Sequence, residues 1–142
     1  MTKSVAVFFY GLFMDADLLR NKGLRVLESR LARLDNYRLR IGVRATLVPT
    51  RGQTVYGMMM QLLPADLQRL YSDPTVSAYI PQSVEVVLND GVRVAATCYL
   101  LPSYVQDFLT NTAYAQKLYA LGSRLGLPAD YLAVIQRAGT DV

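Results

Sequence analysis

The chain contains no histidine. That excludes Ser-His-Asp and Cys-His nucleophilic sites and removes the commonest metal ligand. Its one cysteine, Cys98, excludes an internal disulfide and fits a reducing compartment. With so few candidate ligands, no metal site is expected. Glutamate is almost missing too, with only Glu28 and Glu85. Acid–base chemistry near neutral pH must therefore use one of a few carboxyl groups, a tyrosine or a lysine. No apolar run approaches the length of a membrane span. The lead-in Met1-Thr2-Lys3-Ser4 is too short for a signal peptide. No linker, low-complexity tract or long repeat divides the 142 residues, the usual length of one domain. The expectation is one cytoplasmic domain over 1–142, with no membrane partner.

What is present is ample core material. Apolar residues make up 52% and charged residues 18% of the chain, so a packed core is expected rather than disorder. The formal charge is +4, and Arg30, Arg33, Arg38, Arg40, Arg44 and Arg51 cluster. In Tyr37-Arg38-Leu39-Arg40-Ile41 the arginines alternate with apolar residues, which describes the solvated face of a half-buried strand. No basic–aromatic RNA-binding strand motif accompanies them, so no nucleic-acid partner is expected.

Strand-like segments are Val5–Phe9, Ser29–Leu34, Tyr37–Gly42, Ala45–Pro49, Val55–Leu62, Ser83–Leu88 and Val92–Leu100. Asn89-Asp90-Gly91 joins the last two as a hairpin, since Asp-Gly readily takes positive φ. Asp15-Ala16-Asp17-Leu18-Leu19 reads as a helix start with acidic residues in its first turn. Leu63–Leu70 reads as a short helix with Pro64 at its first position. Asn111–Leu125 reads as a longer helix whose Leu118, Leu121 and Leu125 face the core, ended by Gly126. Leu127-Pro128-Ala129-Asp130-Tyr131-Leu132 begins a last short helix. Many closely spaced strands with peripheral helices predict an α+β fold, a small antiparallel β-barrel with flanking helices.

Period two places Val94, Ala96, Cys98 and Leu100 on one strand face and Ala95, Thr97 and Tyr99 on the other. Cys98 is thus a small buried packing residue. Met58-Met59-Met60 is core filling. Glu85 faces solvent or a cleft mouth, and Glu28 is a surface partner for Arg25 or Arg30. The segment that points to function is Tyr10-Gly11, where the run Val5–Phe9 stops. A strand–turn–helix with glycine at the corner leaves backbone N–H groups free to hold a carboxylate or carbonyl oxygen.

The order of motifs resembles the gamma-glutamylcyclotransferase family, including its avirulence-induced-gene-like branch. Phe8-Phe9-Tyr10-Gly11 resembles the family's Tyr-Gly-Ser signature. Gly42–Pro49 is similar to its Ala-Thr strand, Val55–Met60 to its next strand, and Leu63–Leu70 to the helix before its Leu-Asp-x-x-Glu-Gly segment. Tyr79, Asp90-Gly91, Cys98-Tyr99-Leu100 and the tail from Tyr114 to Tyr131 follow in family order. The resemblance implies ring closure of a gamma-glutamyl amide to 5-oxoproline with release of an amine, without metal or organic cofactor. The substrate's α-amine attacks its own γ-carbonyl, a proximity effect, while a carboxylate moves the proton.

Two departures stand out. The serine after Tyr-Gly is Leu12, followed by Phe13. The family's glutamate has no counterpart: counting forward from Leu70 gives Pro74, and counting back from Tyr79 gives Ser72. Only Asp73 carries a carboxyl group there, and Ser-Asp-Pro is also a common turn. On the resemblance, Asp73 is the acid–base group, Tyr10, Gly11, Leu12 and Phe13 hold substrate, and Tyr79 and Tyr99 line the pocket. The alternative is an inactive module on the same fold that binds a small molecule or a partner. The orientation of the Asp73 carboxyl separates the two.

Overall fold

The computed structural model describes residues 3–102 and 111–139; part of the lead-in, Met1-Thr2, lies outside them. The strands are β1 (Val5–Phe9), β2 (Val26–Ile41), β3 (Ala45–Leu62), β4 (Ile80–Leu88) and β5 (Arg93–Leu100). The helices are α1 (Ala16–Asn21), α2 (Pro64–Tyr71), α3 (Thr112–Leu125) and α4 (Ala129–Ala138).

The five strands close into a barrel in the order β1-β3-β2-β4-β5, as the strand spacing predicts. Every pairing is antiparallel except the closing one, where β1 meets β5 in parallel at Val7↔Thr97. The helices connecting and following the strands cap the barrel, and Val7, Met60, Leu62, Cys98, Leu118 and Ile135 are buried in a common core.

Two pairs of expected strands are in fact single long strands. Ser29–Leu34 and Tyr37–Gly42 merge in β2, and Ala45–Pro49 and Val55–Leu62 merge in β3. The apparent breaks are one irregularity in a continuous ladder. The register steps from Asp35↔Thr54 to Tyr37↔Pro49, leaving residues 50–53 opposite Asn36. Asn36 and Gly52 both take left-handed backbone, with φ of 68° and 84°. The Gly52 N–H donates to Asn36 Oδ1 at 3.1 Å, which closes the bulge. Along Tyr37–Ile41, Leu39 and Ile41 are buried while Arg38 is exposed, the alternation read from the sequence.

Helix ends follow the expected chemistry. Asp15 caps α1 by accepting from the N–H groups of Asp17 and Leu18. Pro64 opens α2. Asn111 caps α3 through the Tyr114 N–H, and Gly126 (φ 87°) ends it. Leu118 and Leu121 are buried, and Leu125 packs half-buried on the core. Cys98 is fully buried, and burial pushes its thiol up to about 12, so it is a packing residue. Met58, Met59 and Met60 are all buried. Glu28 lies 4.0 Å from Arg30, and Glu85 pairs with Arg93 at 3.2 Å on the surface.

Candidate functional site

β1 delivers Tyr10 and Gly11 to the rim of the barrel, and the chain then winds through a 3-10 turn, Leu12–Met14, before α1. Beside this corner lies a cavity of about 570 Å³. Tyr10, Gly11, Leu12, Phe13, Asp73, Tyr79 and Tyr99 all lie on its wall, so the residues singled out in the sequence are brought together.

Their polar groups are not all available. The Tyr10 hydroxyl donates to the Tyr99 carbonyl at 2.6 Å, which ties β1 to the end of β5. Burial, with Cys98, Tyr79 and Tyr71 near by, pushes that phenol well above its ordinary range. The Tyr79 hydroxyl donates to the Ala45 carbonyl. The Leu12 N–H donates to the Tyr114 hydroxyl at 3.3 Å. One of the main-chain N–H groups at the corner is thus committed to a side chain from α3. The first N–H groups of a short helical turn lack intrahelical acceptors, and the neighbouring Phe13 N–H is one of them.

Tyr114 was not singled out for the site by its sequence context, yet it sets the corner. A Cβ at Gly11 would sit 2.6 Å from the Tyr114 hydroxyl oxygen. Any larger residue here would push the Tyr114 hydroxyl aside and disturb its bond with the Leu12 N–H, although the φ at Gly11 is open to any residue. Burial pushes the Tyr114 phenol up to about 12, so it stays a neutral hydroxyl.

Tyr71 is the second residue that sequence reading missed. It ends α2 and stacks on Tyr99 with ring centroids 3.8 Å apart and planes 9° from parallel. Phe13 meets it edge-on at 6.1 Å, and Tyr79 is tilted toward it at 6.3 Å. No periodicity announces this contact, because the rings come from four separate stretches of the chain.

Asp73 follows α2 on the exposed mouth of the cavity. Its Oδ1 accepts from the Thr75 N–H at 2.9 Å and from the Thr75 hydroxyl at 2.7 Å. These bonds, hydroxyl first, hold the carboxyl below its ordinary value of 3.8, and the Lys22 charge adds to the effect. Asp73 therefore caps its own turn while belonging to the lining of the cavity. Replacing Thr75 by valine should raise the Asp73 pKa toward 3.8 by removing the hydroxyl bond. Carboxyl NMR titration reads this directly, and an unchanged value would mean that the hydroxyl bond does not form. The other charged side chains on the wall are Lys22, Arg44 and Arg69. Arg69 donates to the Gly23 carbonyl and pairs with Asp66.

The family model described as gamma-glutamyl cyclotransferase, AIG2-like, matches residues 7–123. No curated protein sequence matches the chain. A solved gamma-glutamyl cyclotransferase shares 21% identity and superposes with a TM-score of 0.77, over 94% of this chain and 87% of its own. An uncharacterized protein from Homo sapiens, loc79017, gives 21% and 0.76 over the same shares, 94% and 87%. A yeast gamma-glutamyl cyclotransferase specific to glutathione gives 13% and 0.64, over 96% of this chain and 98% of its own. These likenesses carry the fold. The order of motifs, the closed barrel and the match over most of the chain agree, and the chain belongs to the AIG2-like gamma-glutamyl cyclotransferase family.

Proposed function

We propose that the chain cyclises a gamma-glutamyl amide to 5-oxoproline and releases an amine, with Asp73 as the acid–base group. The observation that carries this reading is the cavity beside the Tyr10–Gly11 corner, whose wall holds a single carboxylate, Asp73, among the described residues. The reaction needs one carboxylate, a donor for the substrate's oxygen and walls that fold the five-carbon acid on itself. The Phe13 N–H and the rim cations supply the complement to the α-carboxylate. Asp73 takes a proton as the α-amine attacks the γ-carbonyl, and returns it to the departing nitrogen.

A second reading draws on the bonds from Thr75 to Asp73. A carboxylate held by its own turn suits binding without turnover, with the same cavity taking a small amide or acid. Incubation with gamma-glutamyl amines and dipeptides, with 5-oxoproline assayed by mass, separates the two. Product from any of them supports the enzyme. Saturable binding with no product supports the module.

A further inference from the structure

We infer that the departing amine of the substrate carries an aromatic ring, seated on the cavity-lining surface of Phe13, Tyr71 and Tyr99. This rests on reading the cavity as a gamma-glutamyl amide site.

The wall is a chain of rings in contact. Phe9 meets Phe13 edge-on at 6.0 Å, Phe13 meets Tyr71 edge-on at 6.1 Å, and Tyr71 stacks on Tyr99 at 3.8 Å. Phe9 belongs to the core and is 3% exposed. Phe13, Tyr71 and Tyr99 stay half-buried while lining the cavity, so each keeps ring surface for a ligand. A further ring finds offset and edge-on partners there, an arrangement favoured beyond its area alone. It also loses little conformational freedom on binding.

The polar inventory argues in the same direction. The hydroxyls of Tyr10 and Tyr79 are spent on main-chain carbonyls, and the Leu12 N–H on Tyr114. The side chain at the corner is leucine, where a hydroxyl would suit a polar substrate. A leaving group rich in peptide N–H and C=O gains less from these ring faces than an aryl group does. The charged groups, Lys22, Asp73 and Arg69, mark the opposite need, a zwitterionic glutamyl end. At about 570 Å³ the cavity is in the range of sites for drug-sized ligands, with room for a second group beside a five-carbon acid.

The test is a panel of gamma-glutamyl amides of benzylamine, phenethylamine, ethylamine and butylamine, assayed for kcat/KM by 5-oxoproline mass and for affinity by calorimetry. An aryl over alkyl preference of about 10- to 100-fold is expected from burying a ring. Turnover of all four with equal kcat/KM overturns this inference and leaves the cyclisation reading standing. Aryl-selective binding without product overturns the cyclisation reading and supports the ring site. Absence of both selectivity and binding overturns the inference. In Tyr71→Leu the aryl/alkyl ratio should fall toward one. Phe13→Leu tests the same wall from the other side if the first variant does not fold, and an unchanged ratio in both would overturn the assignment.

Discussion

Asp73→Asn is expected to lower 5-oxoproline formation by about 10²–10⁴-fold, the usual weight of one acid–base group. The variant isolates charge from structure. Asparagine keeps an Oδ1 that accepts from the Thr75 N–H and hydroxyl, the two bonds that shape the turn. Loss of rate with unchanged melting temperature identifies the carboxylate as the proton carrier; a wild-type rate would assign the chemistry elsewhere. The converse variant, Asp73→Glu, extends the reach by roughly 1.5 Å. Because misplacement by about an ångström costs on the order of a hundredfold, a gain is expected from the longer side chain. The pH profile follows from the sign of the shift. The Asp73 pKa lies below 3.8, so the carboxylate is ionised from there upward and sets no limb near neutrality. The rate should instead climb toward alkaline pH as the substrate's ammonium loses its proton.

Gly57→Ala should destabilise the barrel by about 3 kcal/mol and lower Tm by roughly 10 °C. Gly57 sits mid-way along β3, opposite Ala32 of β2. A Cβ there would lie 2.2 Å from the Phe9 carbonyl oxygen and 3.0 Å from the Phe8 ring. The obstructing atom is backbone of β1, so it cannot swing aside as a surface side chain would. Relief requires β1 to move from β3, and β1 is the strand that ends in Tyr10. Thermal unfolding followed by circular dichroism checks this, and a Tm within 2–3 °C of wild type, the shift expected from about 1 kcal/mol, would mean that the strands separate freely.

Much of this architecture is legible in the chain. β1 has the bounds its apolar run predicts, the Asn89–Gly91 hairpin joins β4 to β5, and α3 begins one residue after its expected start because Asn111 is its cap. The long β2–β3 ladder was not legible. Pro49, Gly52 and Asn36 look like loop punctuation locally, and only cross-strand pairing turns them into a bulge. The site divides in the same way. Tyr10, Gly11, Asp73, Tyr79 and Tyr99 follow from motif order and all reach the cavity wall. The roles of Tyr71, Tyr114 and Thr75 are set by contacts between distant elements or by side-chain orientation, which spacing does not encode.

The two bonds that fix the corner join residues far apart in the chain: Tyr10 to Tyr99, and Leu12 to Tyr114. Barrel closure at Val7↔Thr97 has the same long reach. β1 precedes α3 by about a hundred residues along the chain, yet its corner depends on a side chain from that helix. A chain ending before Tyr114 has no partner for the Leu12 N–H, so the corner that follows β1 is completed only once α3 is present.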